Sequence, residues 1–120
     1  MLLQIDTRRI EPDITVLTLT GKITMGRECQ KVEQTVQDLL KQNAKKLILD
    51  ITAVDHIDST GIGILAYGFG AVTRSGGVLK VVGAGGKVLH VLQITRLTAV
   101  LPLCDSVDAA CKSFATAAAG

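Results

Sequence analysis

The sequence predicts an α/β protein: a mixed, mainly parallel sheet of about five strands with about four helices, opened by an N-terminal β-hairpin. Three observations predict it. After Gly21, short apolar runs of strand length alternate with stretches of helical periodicity. Before that, two segments of alternating pattern flank Glu11-Pro12-Asp13. Glycine and proline mark the joins, at Ser75-Gly76-Gly77, at Gly83-Ala84-Gly85-Gly86 and at Pro102.

The elements follow in order. Leu3 and Ile5, then Ile14, Val16 and Leu19, alternate with polar residues and place strands at 2–9 and 13–20. Pro12 presets φ and Asp13 bonds its own backbone, which joins the two as an antiparallel hairpin. Gly21 is expected to end the second strand. Met25, Cys29, Val32, Val36, Leu39 and Leu40 recur at helical spacing opposite Arg27, Glu28, Lys31, Gln34 and Asp38. Thr24 is the expected N-cap of this helix and Asn43 its stop. Lys46–Ile51 suits a buried strand. A second helix runs from Ser59 to about Arg74, with Ile62, Leu65, Ala66, Phe69 and Val72 as its core face. A strand at Val78–Val82 and a short helix marked by Val88, Val91 and Leu92 come next. Ala99–Leu101, closed by Pro102, reads as the last strand. The last helix opens at Asp105-Ser106-Val107-Asp108, its acids suiting the helix dipole, with Val107, Ala110, Cys111 and Phe114 as its stripe. Residues 1–116 read as one domain and 117–120 as a flexible tail.

Composition narrows the function. Thirteen basic against eleven acidic residues give a net charge of +2, and Tyr67, Phe69 and Phe114 are the only aromatics. Near-neutral charge argues against polyanion binding, and so few rings cannot build a base-stacking platform, so no nucleic-acid partner is expected. The longest mostly apolar run, Gly61 to Val72, falls short of the roughly 18 residues a membrane span needs, and no secretory signal is visible. Cys29, Cys104 and Cys111 are too few and too widely spaced for a disulfide framework or a metal knuckle. They read as small buried thiols in a reducing, cytoplasmic setting.

Chemistry is expected at Asp55-His56-Ile57-Asp58-Ser59-Thr60-Gly61-Ile62-Gly63, where the third strand hands over to the second helix. Functional groups of open α/β sheets gather at that edge. Ser59 has two readings. As an N-cap, its hydroxyl accepts from Gly61 or Ile62. As a phosphate acceptor, it sits where first-turn N–H groups and the helix dipole favour an anion. Gly61 and Gly63, lacking Cβ, would let a partner approach the backbone. Asp58 and Asp50 are expected to bond nearby backbone. The glycines of the second helix, Gly61, Gly63, Gly68 and Gly70, fit either tight packing on the sheet or a flat face for a partner.

Three other patterns carry less. Gly61–Ala66 matches the dinucleotide fingerprint, but not in a first strand–helix turn, and no acid stands some 20 residues on. Gly83–Val88 resembles a phosphate loop but lacks its upstream Gly and the hydroxyl after Lys87. His56 and His90 are far apart in sequence with no ligand-spaced neighbour, so no metal site is expected. Ser59 lies in no nucleophile elbow, so no catalytic residue and no cofactor are assigned.

Leu19-Thr20-Gly21-Lys22-Ile23, Leu49-Asp50-Ile51, Asp58-Ser59-Thr60-Gly61-Ile62-Gly63 and Leu79-Lys80-Val81-Val82-Gly83 together resemble the STAS domain family, specifically its stand-alone bacterial anti-sigma-factor antagonists. The resemblance runs from about residue 3 to 115, and the Asp58–Gly63 motif is its most specific part. It implies a non-enzymatic, partner-switching module. The unphosphorylated form binds an anti-sigma factor that is also a serine kinase, and the sigma factor is released. Phosphorylation at Ser59 ends the complex, and a serine phosphatase restores it. Thr60 is a minor candidate for the modification. Asp55, His56, Asp58, Ser59, Thr60, Gly61, Gly63 and Thr24 are the implied contact residues. Thr24 stands where the family commonly has an acid. A role as a subunit of a larger signalling or trafficking assembly is the alternative. The length and the lack of a membrane segment disfavour a transporter.

Overall fold

β1 (Gln4–Ile10) and β2 (Ile14–Ile23) form the expected antiparallel hairpin, with Gln4 opposite Thr20 and Ile10 opposite Ile14. The computed structural model describes residues 3–10, 13–23 and 27–119, and side chains within these except at 27–29 and 115–119. Thr24 and Met25 lie outside the described residues. The order is then α1 (Arg27–Lys41), β3 (Lys46–Ile57), α2 (Ser59–Arg74), β4 (Val78–Val82), α3 (Gly86–Ile94), β5 (Leu103–Cys104) and α4 (Val107–Ala119). The five strands lie side by side in chain order, and every pair after the hairpin is parallel.

The period of two along the strands separates two layers of apolar packing. Leu17 and Leu19 of β2, Leu47, Leu49 and Ile51 of β3, and Leu79 and Val81 of β4 face α1, α2 and α3. Val32, Val36, Ile64, Leu65, Val72, Val88 and Leu92 cover them. Ile14, Val16, Ile48 and Val82 point the other way and are covered by Ala110 and Phe114 of α4. The Lys80 ammonium, at the middle of β4, lies 5.4 Å from the centre of the Phe114 ring, a cation–π contact that also holds this helix.

Helix ends follow local chemistry. Asn43 takes φ of 64° just after α1, the left-handed stop its residue type permits. The Ser106 hydroxyl accepts from the Ala109 N–H at 3.0 Å and caps α4. Gln37 of α1 donates to the Tyr67 hydroxyl of α2 at 2.6 Å and ties the two neighbours.

Five expectations are corrected. Gly21 does not end β2, because its φ of 109° absorbs a register shift and the strand runs on to Ile23. β3 continues past Ile51 to Ile57, because β2 remains beside it as a partner. Ala99–Leu101 is no strand. Residues 97–99 form a 3-10 turn, Leu101 drops into the core, and the parallel pairing with β4 is made by Leu103 and Cys104. On α2, Ile64 is buried and Ala66 exposed, so the core face is rotated from the expected one. Cys104 and Cys111 are half-buried at the edge of the α4 layer, not fully enclosed, and the Cys29 side chain lies outside the described residues.

Candidate functional site

The site is built by one overhang. β4 stops at Val82, opposite Asp50, so residues 51–57 of β3 keep only β2 as a neighbour. Two register shifts shape this stretch. At the first, the Asp50 carboxylate accepts from the Thr52 N–H at 3.0 Å and from the Thr52 hydroxyl at 2.6 Å. At the second, Gly21 faces Val54 while Lys22 faces His56, so Asp55 is the extra residue. Val54 and Ile57 remain buried, while Asp55 and His56 are exposed. The bulges re-aim the strand end so that polar side chains face outward over an apolar base.

α2 starts directly from this overhang, and its cap is Asp58. Asp58 is extended, at φ −112° and ψ −171°, and its carboxylate accepts from the Gly61 N–H at 3.0 Å. The Asp58 N–H donates to the Ile23 carbonyl at 3.2 Å, and the Ile62 N–H donates to the Asp58 carbonyl at 2.9 Å. The expectation that Ser59 is the N-cap is therefore corrected. A carboxylate one residue earlier takes the bond, and Ser59 becomes the first helical residue with an exposed side chain. The N–H groups of Ser59 and Thr60 precede the first intrahelical acceptor, so they form the open end of the helix. Thr60 is half-buried, which makes its hydroxyl the less accessible of the two.

Gly61 and Gly63 part company. Gly61 is buried, and a Cβ there would collide with the Ile23 carbonyl and the Ile57 side chain. Its missing side chain serves the seating of α2 against the sheet, which corrects its expected role in admitting a partner. Gly63 is exposed, with open space around its missing Cβ. Ser59, Gly63 and Ala66 follow one another at three- and four-residue spacing on the exposed side of α2, so that face is low and nearly flat. Gly68 is buried, and a Cβ there would stand 3.9 Å from the Leu79 side chain, in ordinary contact. The helix thus uses its glycines both ways.

The two histidines meet in space. His56 and Ile57 of the overhang, with Gly86, Lys87, His90 and Val91 of α3, line one groove of about 590 Å³. Sequence spacing concealed this, because the pairing depends on where β4 stops. Lys87 was weighed only within the phosphate-loop pattern that the sequence does not complete, and Val91 only as a core residue. Their four-residue spacing with His90 between them was the only local signal. Among the described residues, no group of three or more His, Cys, Asp or Glu side chains could hold a metal ion. No helix of the described residues is long and apolar enough to cross a membrane.

The comparisons with known proteins agree with this geometry. A candidate anti-sigma factor antagonist of Thermotoga maritima is 22% identical over 102 residues, covering 85% of this chain and 90% of that protein. The crystal structure of an anti-sigma factor antagonist from Mycobacterium paratuberculosis has the same fold, with a TM-score of 0.80 at 20% identity over 93% of each chain. So does the Bacillus cell fate determinant SpoIIAA in its phosphorylated form, with a TM-score of 0.70 at 14% identity over 87% of this chain and 92% of that one. The family model for the STAS domain matches residues 5–110. That match spans most of the sequence, and this chain belongs to the STAS domain family.

Proposed function

We propose that this chain is an anti-sigma-factor antagonist whose binding is switched by phosphorylation of Ser59. The observation that carries the reading is the division of labour at the start of α2. Asp58 caps the helix, so the Ser59 hydroxyl is left exposed at the open N-terminal end. A kinase can take this hydroxyl without breaking the cap. The phosphate formed meets first-turn N–H groups and the positive end of the helix dipole.

The unphosphorylated edge docks an anti-sigma factor that is also a serine kinase, and the sigma factor is released. Asp55, His56, Asp58, Ser59 and Gly63 form the docking edge. Thr60 and Gly61, half-buried and buried, shape it from behind. Thr24 keeps its assignment from the sequence. Phosphorylation adds about −1.5 to −2 charge beside Asp55 and Asp58. The change falls on a surface, so it acts on the docked partner while the core is untouched. SpoIIAA has this fold in its phosphorylated form, which supports a fold that tolerates the modification. A serine phosphatase resets the switch. The chain itself is a substrate and a ligand, with no reaction of its own.

The test is incubation with the anti-sigma kinase and ATP, followed by intact mass and peptide mapping. The expected result is one phosphate, on Ser59. A phosphate elsewhere, or none, overturns the assignment.

A further inference from the structure

The groove between the β3 overhang and α3 shares His56 with the Ser59 edge, but its other lining residues lie on α3, apart from Ile57, and give it a chemistry of its own. It exists because β4 ends at Val82 while β3 continues, and because Gly83, at φ 86°, turns the chain away to start α3 at Gly86. Gly83 cannot fill the gap, since a side chain there would strike Thr52. α3 then turns Val88 and Leu92 into the core, which leaves Lys87, His90 and Val91 along the groove. The resulting volume, about 590 Å³, lies within the roughly 300–1,000 Å³ typical of small-molecule sites.

The lining surface is almost wholly apolar. Ile57 and Val91 supply an aliphatic floor, and Gly86 adds no side chain, with open space where a Cβ would stand. The three titratable side chains that line the groove, His56, Lys87 and His90, are all bases. No carboxylate is among the described lining residues. The Lys87 ammonium favours an anion at its end of the groove, and a fully polar ligand would leave the floor unsatisfied. We propose that this groove binds a small amphiphilic acid, its apolar body on Ile57 and Val91 and its anionic head held by Lys87, with His56 and His90 as further donors. An open groove of this size, lined by six residues, suits a small molecule, while the flat face of α2 would serve a polypeptide surface.

The test is titration of the isotopically labelled full chain with sub-micellar decanoate, followed by backbone amide shifts. Saturable shifts confined to residues 56–57 and 86–91 are expected. Decanol and decyltrimethylammonium should bind at least about tenfold more weakly, and Lys87→Glu and Lys87→Gln should weaken decanoate by about tenfold, the loss of one charge-assisted contact. Decyl phosphate in parallel decides between a phosphate and a carboxylate head, and tighter binding of either supports the site. Shifts scattered over the surface, equal binding of the cationic amphiphile, or no effect of both Lys87 variants overturns the proposal. So does a groove that responds only to a purified anti-sigma factor, which would make it a protein contact.

Discussion

At Asp58 and Ser59 a single-residue shift decides the chemistry. A Ser before a helix is a good cap, and Asp is as good, so local sequence does not decide between the two residues although Ser59 is the one it suggests. The choice is made by Ile23. Its carbonyl receives the Asp58 N–H and so fixes Asp58 as the last extended residue. That acceptor comes from a strand far away in sequence, and for this reason the cap was misplaced. Asp58→Ala should cost about 1 kcal/mol, the usual loss for a cap, while Ser59→Ala should stay within about 0.5 kcal/mol. Urea unfolding of both variants checks this, and the reverse order would return the cap to Ser59. Gly61→Ala should cost about 1–3 kcal/mol by overpacking against Ile23 and Ile57. Gly63→Ala, facing open space, should leave stability equal or raise it by up to about 1 kcal/mol. The same denaturation measurement separates the two glycines. Cys111 belongs to this scale too. Burial, with help from the Asp108 carboxylate and against the opposing Arg8 charge, raises its thiol above the ordinary value. It stays protonated at neutral pH, so alkylation by iodoacetamide should be slower than for a free thiol peptide. Its ionisation disfavours the folded state only as pH rises through the thiol range, and equal alkylation rates would contradict this.

At the scale of elements, periodicity carried the helices and most strands. Among the described residues, the apolar stripes of α1 and α4 lie where they were read, with Val32 and Val36 buried on one and Ala110 and Phe114 on the other. α2 was rotated because its glycines blur the stripe. With Gly61 and Gly68 buried, two positions that carry no hydrophobic signal belong to the core face. β5 was misplaced for a related reason. Ala99-Val100-Leu101 is apolar, but Arg96 at φ 63° turns the chain beforehand, and pairing with Val81 and Val82 selects Leu103 and Cys104. Strand identity there is a property of the neighbour. α4 stands alone on its face of the sheet, so its anchor matters. Phe114→Ala should destabilise by about 3–5 kcal/mol, as for a buried ring, and thermal unfolding measures it. A loss near zero would mean that α4 contributes little to the fold.

Across the whole molecule, charge and architecture point the same way. The net charge of +2 is small, and phosphorylation of Ser59 would bring it to about zero with the whole change at one sheet edge. The order of elements, the hairpin and the mainly parallel sheet were legible in the sequence, because each rests on a repeating pattern. The overhang of β3 was not legible. It arises from β4 being short, a mismatch between two strands that neither reveals alone. That mismatch creates both the polar edge that carries Ser59 and the groove that unites His56 with His90. The account therefore turns on whether the edge is a switched docking surface. The most direct measurement is the affinity of the purified anti-sigma kinase for the unmodified chain, Ser59→Ala and Ser59→Asp by calorimetry. The account predicts binding of the first two and a loss of at least about tenfold for Ser59→Asp, equivalent to about 1.4 kcal/mol. Equal affinity of Ser59→Ala and Ser59→Asp would contradict it.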